Sequence, residues 1–209
     1  DVVWVPHFTP SRMPLLDQRW TVLPASAAGF TVSPAPAQVP ARDQVGVRWG
    51  RVMGGYEWSA SVYDGVNHMP DVASAPGRSL SDVLLVRQYP RMRMYGADAA
   101  IPTRWATLKG ELSVVRSPDA QSDEYMLSVV QAERQTGEWS LLAGYAGEWV
   151  TARRVTQTFA PDRGLTKSFV ARASYTVDAN RTATVETAVR QNGRGVYVKG
   201  EFSQGYGAH

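Results

Sequence analysis

Hydrophobic and polar residues alternate along most of the chain, most clearly from Trp139 to Trp149. The odd positions of this stretch are mostly aromatic or aliphatic, whereas the even positions are mostly small or charged. Because successive side chains of a strand point to opposite faces, the pattern predicts a half-exposed β-strand rather than a helix. Ten residue steps at ~3.3 Å span about 33 Å. A tilt of about 40° reduces this to a height of about 25 Å, which matches the apolar band of an outer-membrane barrel.

The same alternation recurs through residues 44–209, which are predicted to form an antiparallel β-meander of about ten strands with essentially no helix. Tight turns are expected near residues 53, 102, 135 and 178, and longer loops near residues 65, 116, 153 and 191. In an up-and-down meander alternate connections share one end, so one end carries turns and the other carries loops. This asymmetry is typical of outer-membrane barrels, with their periplasmic turns and extracellular loops. A soluble sandwich has no reason to produce it.

Residues 1–43 differ from the rest because they hold seven of the 13 prolines. Proline lacks the amide hydrogen that a sheet ladder needs. After a short strand at Val2 to Val5, this segment is therefore predicted to be a loop, either extracellular or folded into the lumen. A further strand is expected from about Arg87 to Ala100, with Met92 and Met94 on the face opposite Arg91 and Arg93. A β-bulge would explain its blurred phase between residues 95 and 98.

Charged residues of both signs lie at positions predicted to face away from the aliphatic side. We expect them to line a watery lumen and to set its selectivity. They are Arg48, Glu57, Arg91, Arg93, Lys109, Glu111, Glu148, Arg172, Glu186, Arg190, Lys199 and Glu201. The alternatives are a solvated face of a soluble sheet, or structural charge ladders between neighbouring strands.

The large aromatic residues cluster near predicted strand ends. We expect them to mark the two lipid–water boundaries, because a soluble sandwich would place its tryptophans nearer strand centres. The predicted boundary aromatics are Trp49, Trp58, Trp105, Trp139, Tyr145 and Trp149.

Composition narrows the class further. No run of about 18 apolar residues occurs, which argues against membrane-spanning helices. The chain has no cysteine, so disulfides and thiolate metal sites are excluded. A net charge of +3 with dispersed basic residues argues against nucleic acid as a partner. No basic and apolar leader occurs at residue 1, so we expect a mature chain whose signal peptide was removed, or a fragment.

Candidate catalytic and metal-binding residues are sparse. His7, His68 and His209 are far apart in the sequence and are predicted to be exposed loop residues rather than metal ligands. Aspartates in the predicted outer loops could bind calcium, although turn formation is their commoner role. These are Asp64, Asp119, Asp123 and Asp162. Neither a Gly-x-Ser-x-Gly elbow nor a phosphate-binding loop occurs, so neither an enzyme nor a cofactor is predicted.

Six segments taken in order resemble a family of porin-like bacterial outer-membrane β-barrel proteins. They are DVVWVPHFTPSRMP, GGYEWSASVYDGVNHMP, YPRMRMYGADAA, WATLKGELSVV, FAPDRGL and GVYVKGEFSQ. The resemblance spans nearly the whole chain, and the order of the segments is more specific than any one of them. It implies a barrel of more than ten strands, a cleaved signal peptide and a last strand that ends in an aromatic residue. His209 departs from that ending, so the chain is interpreted as an internal or truncated piece of the barrel.

Together these patterns predict an all-β, antiparallel, up-and-down transmembrane β-barrel in the outer membrane of a Gram-negative bacterium. The expected function is porin-like passive diffusion of small solutes or ions, with membrane lipid as a partner and homo-oligomerisation left open. One alternative is a soluble or periplasmic β-barrel or sandwich that binds a ligand. A barrel-embedded enzyme is the other.

Overall fold

The computed structural model describes residues 1–11, 25, 28–36, 38–155, 163–164, 166–191 and 194–205. These residues form 13 β-strands and contain no α-helix, so the all-β prediction is confirmed. Consistently, the described residues include no helix with the length and hydrophobicity to cross a membrane. In chain order the strands are β1 (Val2–Val5), β2 (Thr31–Pro34), β3 (Gln44–Met53), β4 (Tyr56–Val66), β5 (Asp71–Pro76), β6 (Asp82–Gln88), β7 (Arg91–Pro102), β8 (Thr107–Arg116), β9 (Glu124–Thr136), β10 (Trp139–Ala152), β11 (Lys167–Asp178), β12 (Arg181–Arg190) and β13 (Val196–Gln204).

Ten of the strands form one sheet in the order β1-β3-β4-β7-β8-β9-β10-β11-β12-β13. All neighbours in this sheet are antiparallel, and from β7 onward each strand pairs with the next one along the chain. This is the predicted antiparallel meander. Within the described ranges β1 and β13 each have a single neighbour, so they form the two edges of the sheet.

The connections of this sheet alternate in length as predicted. Four short connections lie at one end, which we call the turn end: residues 54–55, 103–106, 137–138 and 179–180. Gly54 and Gly55 have φ values of +56° and +89°, and Gly137 has +56°. Glycine adopts these left-handed angles without the penalty that a Cβ atom brings, which explains why two of the tight turns depend on it. The longer connections lie at the opposite end, the loop end.

The loop end carries a second, three-stranded sheet in the order β2-β6-β5, in which β2 and β6 are parallel. β1 is the short strand predicted at Val2 to Val5. The rest of the proline-rich segment and the connection after β4 are predicted to be loops, and the strands β2 and β5 show that this part of the prediction was wrong. Pro34 ends β2 and Pro76 ends β5, and both strands lie at the edges of the small sheet. Proline is tolerated at such positions, and its presence therefore did not exclude strands here.

The strand predicted from about Arg87 to Ala100 is in fact two strands. β6 belongs to the small sheet and ends at Gln88, and β7 begins at Arg91 after Pro90. The bulge expected between residues 95 and 98 is also absent. β7 keeps one continuous register with β4 over residues 91–100 and with β8 over residues 93–102. The alternation of hydrophobic and polar positions is irregular here because Met92 and Met94 are hydrophobic but lie on the face opposite Tyr95.

Register and alternation give the ten-stranded sheet two chemically distinct faces. Along successive strands the apolar face carries Val47, Val62, Tyr95, Leu112, Val130, Leu141, Phe169, Val185 and Val198. These nine side chains are between 39% and 65% exposed. Over the described part of the chain the buried hydrophobic residues are only Val66, Tyr89 and Val115. The sheet therefore has no hydrophobic core on its apolar face, and we call the opposite side the polar face.

The strands are staggered in one constant direction. One row of cross-strand partners starts at Trp58, three residues after the turn residue Gly55, and passes through Tyr145. It reaches Phe169 on β11, ten residues before the turn residue Ala179. The row thus moves seven residues away from the turn end over five strand pairings, or roughly 1.4 residues per strand. With a rise of ~3.4 Å per residue and a spacing of ~4.8 Å between strands, this stagger tilts the strands by about 45° relative to the perpendicular of the turn-end edge of the sheet.

Candidate functional site

The polar face is the candidate functional surface because it gathers most of the charged side chains predicted to act together. Ten of the twelve predicted pore-lining residues lie on it by register. They are Arg48, Glu57, Lys109, Glu111, Glu148, Arg172, Glu186, Arg190, Lys199 and Glu201. Serine, threonine and glutamine residues fill many of the positions between them. From β3 to β13 every strand of the large sheet therefore contributes charged or polar side chains to this face, beside apolar ones such as Met92, Met94 and Leu142.

Arg91 and Arg93 lie on the apolar face, which corrects the sequence-based assignment. Arg93 is the cross-strand partner of Asp64 and of Arg116, and the next row on the same face contains Tyr95. The hydrophobic character of Met92 and Met94 predicts the apolar face for them, whereas the register places both on the polar face. The alternation of Tyr95, Ala97, Ala99 and Ile101 further along β7 was the signal that gave the correct phase.

Near the turn end, Arg48 connects three strands of the polar face. Its Nε donates to the Ser59 hydroxyl at 2.9 Å, and its Nη2 lies 3.1 Å from Asp98 Oδ1. Ser59, which is 6% exposed, also donates to Asp98. Asp98 in turn is the cross-strand partner of Glu111, so two carboxylates face each other across β7 and β8. Sequence reasoning missed Asp98, although its parity with Ala100, the partner of Glu57, places it on this face.

A second ion pair lies on the neighbouring strands. Lys109 Nζ is 2.7 Å from Glu133 Oε2, and Gln131 donates to the other Glu133 oxygen at 3.0 Å. Glu133 was also missed by sequence reasoning, because the facing of β9 was left uncertain. Further along, Lys199 pairs with Glu201 at 2.7 Å. These contacts hold charged groups of both signs in fixed positions across the sheet.

Glu148 differs from the other charged residues of the polar face because its side chain is only 6% exposed. One carboxylate oxygen accepts from Arg163 Nη1 at 3.0 Å, and the other accepts from the Gly164 amide at 2.9 Å. The Arg163 guanidinium also lies 4.1 Å from the centroid of the Tyr125 ring. Glu148 therefore anchors the end of the loop after β10 onto the polar face instead of facing open space.

The segments that flank the small sheet also contact polar-face residues at the loop end. The Gln44 side chain is fully buried, and its Oε1 accepts from Tyr63 and from the Val66 amide. His68 Nε2 lies 3.2 Å from the same oxygen, and its Nδ1 lies 2.7 Å from the Thr9 carbonyl oxygen. The loop end of the polar face is therefore covered by chain at β3 and β4.

His68 is half-buried and packs against Phe8, with ring centroids 4.8 Å apart, so the prediction of an exposed loop histidine was wrong for it. His7 is exposed as predicted, and His209 lies outside the described residues. Within the described ranges no cluster of three or more histidine or acidic side chains is arranged to hold a metal ion.

Of the four aspartates considered as possible calcium ligands, the three in the described residues have protein partners. Asp64 pairs with Arg42 and Arg93, Asp119 accepts the amide of Arg91, and Asp162 lies outside the described residues. Asp123 lies 3.6 Å from Arg154. They are therefore held by cations or by backbone amides rather than left as loop ligands.

A further acidic residue, Asp71 on β5, is 7% exposed and accepts from the Ser122 hydroxyl at 2.9 Å. Burial raises the pKa of the Asp71 carboxyl above its usual range, and nearby Asp123 acts in the same direction.

Aromatic side chains form a belt at the turn end of the apolar face. Trp49 and Trp58 are in edge contact at 4.8 Å, and Trp139 lies 4.9 Å from Tyr175. Trp105, in a short connection of the same end, is 60% exposed and carries the Arg104 guanidinium 5.0 Å from its ring. The structure therefore brings four of the predicted boundary aromatics to one edge of the apolar surface.

Of the other two predicted boundary aromatics, Trp149 lies toward the loop end, whereas Tyr145 lies at the middle of β10 and not at a boundary. Tyr145 contacts Trp149 at 6.3 Å and Phe169 at 5.1 Å between ring centroids. Lys167 places its ammonium 5.5 Å from the Trp149 ring. The apolar face is thus bordered by aromatic residues at both ends, and at the loop end a basic group lies beside them.

The chain matches no protein-family model, and no curated protein or solved structure shows significant similarity to it.

Proposed function

We propose that the ten-stranded sheet is the wall of an outer-membrane β-barrel and that the protein is a porin-like channel for passive diffusion of small solutes or ions. The observation that carries this proposal is the exposed apolar face, which stands opposite a face of fixed charges. A sheet in water has to cover its hydrophobic face with a second layer. The small sheet does not provide one, because the segment that links β4 to the small sheet contacts the polar face, where His68 Nε2 lies 3.2 Å from Gln44 Oε1.

Exposed hydrophobic surface of this extent marks a membrane or protein contact. The arrangement here favours lipid, because the apolar side chains continue across nine neighbouring strands rather than forming one patch. Aromatic belts at both ends are the usual boundary markers of membrane barrels. Trp139 and Trp149 are ten residues apart on β10. At a tilt of about 45° this separation is a height of roughly 24 Å, close to the apolar band of such barrels.

The stagger of the strands supports a closed architecture. A barrel requires its strands to tilt relative to the axis, typically by about 35–45°. The stagger measured from Trp58 to Phe169 gives about 45°. In lipid the unpaired backbone groups of β1 and β13 would be costly. We therefore propose that both edges pair with strands, either with each other or with further strands, so that the wall closes.

A soluble sandwich, the alternative, requires Trp139, Tyr145 and Trp149 to lie between two packed layers. Trp139 is 47% exposed, and no described strand packs over the apolar face at this place.

In the proposed barrel the polar face would line the lumen, and the residues around Gln44 would narrow the lumen at its loop end. Transport through such a lumen is diffusive and needs no catalytic group, so we propose neither enzymatic activity nor a cofactor.

The test is refolding of the protein into detergent micelles followed by planar-bilayer recording. We expect a monodisperse species only when detergent or lipid is present, and discrete conductance steps after insertion. Heat-denatured protein at the same concentration is the control. A protein that is monodisperse in detergent-free buffer would contradict the membrane location. Stable insertion without conductance would leave the barrel but reject the channel.

A further inference from the structure

Four arginines gather on the apolar face at the loop end, in a place where a lipid-facing surface should be uncharged. We call Arg42, Arg91, Arg93 and Arg116 the arginine cluster. Arg93 and Arg116 are cross-strand partners on β7 and β8. The next row toward the turn end, Tyr95 and Val114, is apolar. The cluster therefore lies directly at the border of the apolar band.

The cluster is only partly neutralised by protein carboxylates. Arg42 and Arg93 share a single carboxylate, that of Asp64, and Arg93 reaches it through Nε at 3.0 Å and Nη2 at 2.9 Å. Arg116 lies 3.3 Å from Glu124, and its side chain remains 60% exposed. Asp119 accepts the Arg91 amide at 2.8 Å and adds a third acidic group, so four guanidinium groups stand against three carboxylates and the cluster keeps a positive charge.

An open cavity of about 650 Å³ lies at the cluster. All four arginines line it, together with Asp64. Its apolar lining comes from Tyr95, Val114 and Pro118. It is thus a concave site with cations toward the loop end and hydrophobic groups toward the middle of the apolar face.

This combination fits a phosphorylated lipid. Guanidinium groups bind phosphate oxygens through paired charge-assisted hydrogen bonds. Acyl chains attached below the phosphate would lie along Tyr95, Val114 and the apolar rows beneath them. A soluble anion would use the arginines and leave the apolar lining exposed. A basic site at the headgroup level is also the general means by which membrane proteins hold anionic lipids.

We propose that the arginine cluster is a binding site for the phosphates of the phosphorylated glycolipid of the outer leaflet, the lipid A part of lipopolysaccharide. The site rests on the proposed function, because it requires the apolar face to contact lipid with the loop end outward. Charge complementarity and the apolar wall below the cations argue for a phosphorylated lipid, and the proposed outward orientation of the loop end places that lipid in the outer leaflet.

The experiment compares binding of bisphosphorylated lipid A and of dephosphorylated lipid A to the refolded protein in detergent, by native mass spectrometry. For Arg91→Gln combined with Arg116→Gln we expect binding of the bisphosphorylated lipid to fall by roughly tenfold or more, because charge-assisted hydrogen bonds are lost. Binding of the dephosphorylated lipid should not change. The matched control is Arg51→Gln, which removes an arginine from the apolar face at the turn end, as its pairing with Trp58 places it.

Three results would overturn the site. Equal affinity for both lipids would show hydrophobic adhesion alone, and an equal loss in the Arg51 variant would show unspecific charge attraction. Full competition by millimolar inorganic phosphate would indicate a soluble anion instead of a lipid. Membrane insertion of each variant is checked first by co-flotation with lipid vesicles. Failure of the wild-type protein to insert rejects the proposed function and the lipid site together, whereas insertion without lipid discrimination rejects the lipid site alone.

Discussion

Asp98 on β7 and Glu111 on β8 are direct cross-strand partners on the polar face, so two carboxylates lie side by side on neighbouring strands. Like charges in facing positions destabilise a sheet. Arg48 and Ser59 offset part of this cost through their contacts with Asp98. The pair therefore concentrates negative charge on the surface that we propose to line the lumen.

Replacing Glu111 by Gln should remove the repulsion and the excess negative charge at once. We expect a gain in unfolding free energy of about 0.2–1 kcal/mol, measured by urea titration in detergent. The ratio of cation to anion permeability, measured in a salt gradient, should fall. Glu57→Gln is the control, because the cross-strand partners of Glu57 are Ala100 and Val52. Equal effects of both substitutions would contradict a special role for the facing carboxylates.

Arg163→Ala tests the anchoring of the loop after β10. It would leave the buried Glu148 carboxylate with the Gly164 amide as its remaining partner of the two described above. A buried charge that loses its partner costs stability, here about 1–3 kcal/mol, measurable as a lower unfolding midpoint. Adding Glu148→Gln to the Arg163 variant should recover part of the lost stability, because a neutral glutamine side chain does not need a cation as its partner. No recovery would mean that Arg163 acts mainly through its contact with Tyr125.

The raised pKa of Asp71 predicts that this carboxyl lowers the stability of the fold increasingly as the pH rises. A carboxyl with a pKa higher in the folded than in the unfolded protein stabilises the fold when protonated. That contribution is present below the ordinary value of 3.8 and is lost as the pH rises through the raised value. Asp71→Asn should therefore stabilise the protein at neutral pH and have little effect near pH 3, by comparison of unfolding midpoints. The asparagine keeps an oxygen for Ser122, and a stabilisation that is the same at both pH values would refute this assignment.

The sequence predicted most of the large sheet because alternation and turn residues are local signals. β10 was identified from its own eleven-residue pattern from Trp139 to Trp149, and the turn at Gly54–Gly55 from its glycines. The small sheet could not be predicted in this way. Its three strands are short, two of them end in proline, and β2 pairs with a strand about fifty residues away.

Residues of the polar face could be predicted wherever hydrophobic and polar positions alternate regularly. The prediction failed where a hydrophobic side chain lies on the polar face by register. Met92 and Met94 share a face with Asp98, so their hydrophobic character reversed the apparent phase of β7. The partial burial of His68 depends on Phe8 and Gln44, which come from distant parts of the chain. No local pattern reports such contacts.

Adjacent residues in the middle of β10 test the central claim, because Ala143 lies on the apolar face and Leu142 on the polar face. An arginine that faces lipid near the midplane costs a barrel about 2–4 kcal/mol, whereas lumen positions tolerate it. In lipid vesicles we therefore expect Ala143→Arg to lower the free energy of unfolding by about 2–4 kcal/mol. Leu142→Arg should cost much less, since Glu133 is its cross-strand partner. A harmless Ala143→Arg would contradict an apolar face in contact with lipid.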